Sequence, residues 1–179
     1  FNWFSKLIEK AVPQGKHLLG YHIPVMTGIG FSLDLLERLK TKFPNQFAGI
    51  KDSSHDEAFA TALGQRFGND LFVLNGTDSY FHHALKNNAQ GAITAPANLI
   101  SENLRQVWDL FQEGKDPSEV QAKVTEQRHF LERYSPIAPV LKGLLHKIHG
   151  LPSWSLRHPL ESLDEKTLEE AAEGFLKIS

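Results

Sequence analysis

The segment Phe47-Ala48-Gly49-Ile50-Lys51, followed by Asp52-Ser53-Ser54, is a short apolar run that delivers a lysine at its end. It does not alternate in polarity, so it predicts a strand covered on both faces, as in a parallel sheet. Pro44 and Asn45 close the connection before it, and the preceding helix is capped by Ser32 and carries Leu33, Leu35, Leu36 and Leu39 as its apolar stripe. Further upstream, His17 to Ile23 reads as a strand stopped by Pro24, and Ser5 to Val12 has helical spacing. Downstream, Asp56 to Phe67 predicts a helix ended by Gly68 and Asn69. A strand over Leu71–Leu74, a helix from Ser79 to Asn87, a strand over Gly91–Ala95 and a helix capped by Ser101 and running to Gln112 complete the series. The order is βαβαβαβα with a repeat of roughly 20–30 residues, the size of one strand plus its crossover helix.

The last third contains no strand signal. Asp116-Pro117-Ser118-Glu119 starts one helix, a second follows Pro136 and ends at Gly150, and Ser162-Leu163-Asp164-Glu165 reads as a capping box for a third through Leu176. The expected architecture is α/β, with residues 1–114 forming parallel βα units and residues 115–179 a three-helix extension.

Composition bounds the function. The 179 residues are 41% apolar and 22% charged, as in an ordinary globular protein, which excludes disorder and low-complexity fibre. A formal charge of −2 supplies no global field for nucleic acid or an anionic membrane, and no apolar run has transmembrane length. The absence of cysteine rules out disulfides and thiolate metal sites and is compatible with a reducing cytoplasm. The start, Phe1-Asn2-Trp3-Phe4, has neither an initiator Met nor a signal-peptide pattern and reads as part of something longer.

Ligands of parallel α/β folds bind beyond the carboxyl ends of the strands. The four ends here are Tyr21-His22-Ile23-Pro24 with Thr27-Gly28, Lys51-Asp52-Ser53-Ser54, Asn75-Gly76-Thr77-Asp78, and Thr94-Ala95-Pro96-Ala97-Asn98. A lysine carried there by an apolar strand is suited to desolvation, which frees its amine to attack a ketone and form a Schiff base. The competing reading is a lysine that snorkels to water. Tyr21 offers a phenol for proton transfer, or else a core aromatic with a backbone partner. Thr27-Gly28 and Gly76-Thr77-Asp78 offer hydroxyls and close-approach amides, or ordinary turn chemistry. Gly28-Ile29-Gly30 lacks the third glycine of a dinucleotide fingerprint, since Leu33 stands there. His146 and His149 share a helix face without an apparent third metal ligand.

Taken together, Tyr21-His22-Ile23-Pro24, Thr27-Gly28, Gly49-Ile50-Lys51-Asp52-Ser53-Ser54, Asn75-Gly76-Thr77-Asp78 and Gly91-Ala92-Ile93-Thr94 with Asn98 resemble the second half of the dihydrodipicolinate synthase / N-acetylneuraminate lyase family. The resemblance implies the C-terminal half, strands 5–8, of a (β/α)₈ TIM barrel with a helical extension, normally assembled as a homo-oligomer, a dimer or a tetramer. It implies a class I aldolase or lyase acting on pyruvate or a 2-keto-3-deoxy acid, with an aldehyde as the second partner. Lys51 matches the Schiff-base lysine and Tyr21 the proton-shuttling tyrosine. Thr27, Gly28, Gly76, Thr77, Asp78, Ile93 and Thr94 fall at the substrate site. No metal or organic cofactor is implied, because the protonated imine is itself the electron sink. Met26 stands where the synthases carry an arginine for a second carboxylate, which favours an aldolase or lyase over a synthase, while a dehydratase stays open. The family's Gly-Thr-Thr-Gly-Glu loop belongs to the first barrel half and is not in this sequence. A non-catalytic half-barrel that packs against a complementary half is the reading from another class.

Overall fold

The computed structural model describes residues Phe1–Ser179, which divide into two compact units, Phe1–Ile93 and Thr94–Ser179. In the first unit the elements are α1 (Asn2–Ala11), β1 (Leu18–His22), α2 (Pro24–Thr27), α3 (Leu33–Lys42), β2 (Phe47–Asp52), α4 (Glu57–Phe67), β3 (Phe72–Asn75), a 3₁₀ turn (Asp78–Tyr80), α5 (Phe81–Lys86) and β4 (Gly91–Ala92). The strands form one parallel sheet in the order β1-β2-β3-β4. That order follows when each strand is laid beside its predecessor by a crossover helix.

Local chemistry sets the helix starts. Ser32 Oγ accepts the Leu35 amide at 3.2 Å and Asp56 Oδ1 accepts that of Phe59 at 3.0 Å, each satisfying a donor that the first turn leaves without an intrahelical partner. The single turn α2 was not foreseen from sequence. Pro24 fixes its start, and Gly28 ends it with a φ of 71°, in the left-handed region.

Within this chain the helices cover one face of the sheet, and the other face, expected from sequence to be buried as well, is half exposed. Gly20, His22, Ile50, Asp52, Val73 and Asn75 are buried, and the helices pack Ile8, Leu36, Leu39, Leu63 and Phe67 into the core against Ile50 and Val73. On the opposite face Leu19, Tyr21, Phe72 and Ile93 are about half exposed. Opposite burial at adjacent positions follows from the period of two along a strand.

The β1–β2 ladder contains an irregularity. Leu18 stands opposite Phe47 but Leu19 stands opposite Gly49, so Ala48 has no partner on β1. Beyond it the register runs Gly20↔Ile50, Tyr21↔Lys51 and His22↔Asp52. The extra residue therefore brings Tyr21 level with Lys51.

Helix α4 abuts the chain after α5 so closely that Gly64 has no room for a side chain. A Cβ there would lie 1.6 Å from the Asn87 carbonyl oxygen. Exchanging a helical glycine for alanine ordinarily stabilises by ~0.5–1 kcal/mol. At Gly64 the sign should reverse, because backbone must move: Gly64→Ala is expected to destabilise by about 1–3 kcal/mol, read as a lowered urea midpoint.

The second unit is helical: α6 (Ala97–Gln112), α7 (Ser118–Glu132), α8 (Ile137–His149) and α9 (Glu165–Leu176). Ile100, Leu104 and Val107, Val124 and Leu131, Val140 and Leu144, and Ala171 and Phe175 are among the buried positions of the four helices. Two boundaries differ from the sequence reading. α6 starts at Ala97, with Ile100 departing from helical geometry just before Ser101. α9 is capped by Asp164, whose Oδ1 accepts the Thr167 amide at 2.9 Å, and not by Ser162, because Glu165 is already the first helical residue. β4 is also shorter than expected, since only Gly91 and Ala92 pair regularly, although the Ile93 amide still reaches the Asn75 carbonyl at 2.9 Å.

Candidate active site

The carboxyl ends of β1 and β2 carry the central pair. Because Tyr21 and Lys51 are register partners, their side chains rise from the same face of the sheet. Lys51 Nζ donates to the Tyr21 hydroxyl at 2.9 Å and stands 4.1 Å from the centroid of the same ring. Lys51 is half-buried and Tyr21 is 50% exposed, so the pair is open to a solute from the uncovered side.

Electrostatics of the phenol follow from this contact. The Lys51 ammonium, by hydrogen bond and by charge, holds the Tyr21 hydroxyl below the ordinary phenol range, against an opposing contribution from partial burial. The Ser53 hydroxyl acts in the same direction. It is buried and makes no hydrogen bond of standard geometry, yet stands close enough to favour the ionised phenol. Sequence reading missed Ser53, although its place two residues beyond Lys51 puts it on the same face by alternation.

Gly76, at the end of β3, closes the third side. A Cβ there would lie 1.9 Å from Ser53 Oγ, 2.8 Å from the Asp52 carbonyl oxygen and 3.0 Å from Lys51 Cε. Only a glycine lets this backbone approach the lysine stem so closely. Thr77 and Asp78 follow it and are 3% and 0% exposed. The Thr77 backbone is clamped by the Asn75 amide, which accepts from Thr77 N at 3.2 Å and donates to Thr77 O at 2.7 Å.

Thr27 and Gly28 lie on the exposed turn after β1. The Thr27 hydroxyl stands 2.6 Å from the Ile29 carbonyl and 3.1 Å from that of Ile23, so its proton is engaged by its own loop and the oxygen is left to act as an acceptor. Thr27 and Tyr21 border one cleft of about 480 Å³, together with Leu19, Ile29 and Phe31. Ile93 is half exposed on the last strand's extension. Thr94 opens the second unit, with its hydroxyl buried and without a hydrogen bond. Thus Lys51, Tyr21 and Gly76 converge, with Ser53 added, and Thr27 shares a wall with Tyr21.

Elsewhere, His146 Nδ1 lies 2.6 Å from the Leu151 carbonyl, which occupies one of the nitrogens considered for metal. No helix is long and apolar enough to cross a membrane.

The chain is similar to several known proteins along nearly its whole length. A DapA-like lyase of uncharacterised activity from Chloroflexus aurantiacus is 30% identical over 176 residues, which are 98% of this chain and 58% of that protein. The N-acetylneuraminate lyase of Citrobacter koseri is 28% identical over 93% of this chain and 55% of its own length. The crystal structure of dihydrodipicolinate synthase from Agrobacterium tumefaciens superposes with a TM-score of 0.84 at 26% identity, over 99% of this chain and 59% of that one. The chain therefore spans somewhat more than half the length of the relatives it matches. The profile of the dihydrodipicolinate synthetase family matches residues 3–177, and with that extent the chain belongs to the family.

Proposed function

We propose that this chain carries the Schiff-base half of a class I carbon–carbon lyase acting between pyruvate and an aldehyde. The observation that carries the reading is the 2.9 Å contact between Lys51 Nζ and the Tyr21 hydroxyl at the carboxyl ends of adjacent strands. The Lys51 ammonium passes a proton to the ionised phenol and the freed amine adds to the ketone carbon; the phenol returns that proton to the carbinolamine hydroxyl, which leaves as water and gives a protonated imine. That imine draws the electron pair of the adjacent C–C or C–H bond towards nitrogen, giving an enamine that can add to an aldehyde or be released from one. Each step moves a proton at or near the former ketone oxygen, and the phenol stands beside the nitrogen where such a transfer is made. Its ionisation is eased by the ammonium next to it, which suits it to both giving and taking a proton.

Gly76 is assigned to making room for the bound keto acid beside Lys51, and the Thr27 hydroxyl oxygen and Gly28 carbonyl to accepting from hydroxyls of a polyhydroxylated 2-keto-3-deoxy acid, with Thr77, Asp78, Ile93 and Thr94 shaping the surroundings. In the parent fold we read β1–β4 as strands 5–8 of an eight-stranded barrel. The half-exposed face of Leu19, Tyr21, Phe72 and Ile93 would then be its interior. By chain order residues 1–114 supply the barrel portion and residues 115–179 the extension, in a cytoplasmic homo-oligomer. Met26, 78% exposed beside Thr27, offers no fork for a second carboxylate, which supports a lyase of 2-keto-3-deoxy or sialic-acid-like acids over a synthase.

Incubating the full-length protein with pyruvate and borohydride tests this directly. The expected result is one reduced pyruvate adduct per chain, mapped to Lys51 by peptide mass spectrometry. A folded protein that forms none would refute the reading and favour a non-catalytic half-barrel.

A further inference from the structure

One buried group beside the site is not used by the chemistry above. His22 ends β1 directly after Tyr21, on the opposite, helix-covered face, and is 6% exposed. Its ring stacks on Phe59 with a centroid separation of 4.3 Å and an interplanar angle of 18°. Its Nδ1 accepts the Phe31 amide at 2.9 Å, which requires a neutral ring with the proton on Nε2. The chain between them, 23–30, is the turn that bears Thr27 and Gly28. The fit is close on both sides: a Cβ on Gly30 would lie 2.5 Å from His22 Cε1, and one on Gly20 would lie 3.1 Å from the tip of the Phe31 ring.

We propose that His22 is a positioning residue, whose neutral imidazole latches segment 23–31 to the end of β1 and whose protonation releases the turn that bears Thr27 from the cleft wall it shares with Tyr21. An imidazolium has no lone pair on Nδ1, so the Phe31 amide loses its acceptor and faces an N–H donor instead. A latch of this kind couples pH to substrate binding without a titrating group in contact with substrate.

The groups facing the ring are Phe59 of α4, the carboxylate of Asp52 on β2 and that of Asp56 at the cap of α4. Burial disfavours the charged ring and outweighs the two carboxylates, so the imidazole titrates below the ordinary histidine range. The unfolded chain then binds the proton more readily than the folded one. The contribution to stability is complete above about pH 6.5, the unperturbed histidine value, and is lost as pH falls from there towards the folded value. The segment is accordingly latched at neutral pH and released in acid.

The proposal rests on the Schiff-base reading for what is positioned, but its primary readout needs no turnover. In the full-length protein, the Phe31 amide should be protected from hydrogen exchange at neutral pH. Its protection factor should fall about tenfold as His22 titrates, the change expected from one lost net hydrogen bond. Asparagine can place a carbonyl oxygen near Nδ1 and cannot be protonated there. His22→Asn should therefore keep Phe31 protected in acid, whereas His22→Leu, which fills the space without an acceptor, should lose protection at every pH. For pyruvate, His22→Leu should raise KM about tenfold with kcat nearly unchanged, as loss of uniform binding does. Protection of Phe31 that ignores both pH and His22→Leu would overturn the latch. Loss of protection in acid from a protein that traps no pyruvate would uphold the latch and overturn the lyase chemistry instead.

Discussion

Lys51→Arg should abolish adduct formation and lower turnover by roughly five orders of magnitude, the scale seen when a covalent nucleophile is removed. Arginine makes the sharper substitution because it separates charge from nucleophilicity. It keeps a cation that can donate to the Tyr21 hydroxyl and stack on its ring, so a purely electrostatic role would survive it. What it cannot do is lose a proton to expose a nitrogen lone pair. Lys51→Met is the companion variant, with a stem of similar length that preserves packing beneath Gly76. Steady-state rates and borohydride trapping on both variants, with circular dichroism to confirm folding, provide the check. An arginine variant that retained a tenth of the wild-type rate would remove Lys51 from covalent chemistry.

Tyr21→Phe should lower kcat by about 10²–10⁴-fold, the contribution of a positioned general acid–base group. The ring and its contact with the ammonium are kept and a single oxygen is removed, 2.9 Å from the nitrogen. Binding of pyruvate should change little, because the half-exposed phenol lies in the open cleft without supporting the core. The adduct should still form in Tyr21→Phe, more slowly, since the amine is present but the carbinolamine loses its proton carrier. Rapid-quench trapping separates slow imine formation from its absence. A Phe variant that traps pyruvate at the wild-type rate and turns over normally would assign the proton transfers elsewhere.

That Tyr21 and Lys51 would lie at one rim of the sheet was legible in the sequence because each stands near the carboxyl end of a short apolar run. The strand and helix order was legible for the same reason: Pro24, Pro44, Gly68 and Gly150 punctuate it, and Ser32 and Asp56 announce their helices with side chains that can accept an amide. Other features were not. An apolar run does not report which face will be covered, so half exposure of Leu19, Tyr21, Phe72 and Ile93 came only with the coordinates. Thr77 and Asp78 look like mouth residues by position, yet the Asn75 side chain folds the turn inward and buries them. His22 and Ser53 were passed over because their meaning lies in neighbours distant along the chain, Phe31 and Phe59 for one and Tyr21 for the other. Ser162 competed with Asp164 as a cap, and a two-residue difference in helix start decided between them.

Ala48 gives the sheet a degree of slack with a practical consequence for editing the gene. Because it has no partner on β1, excising its codon should leave a regular ladder in which phenol and amine still meet. Excising the codon for Gly49 instead would draw alanine into its position, where a side-chain carbon on that backbone would lie 2.3 Å from the Phe72 carbonyl oxygen. Two adjacent deletions of equal length should thus part company, one tolerated and the other damaging.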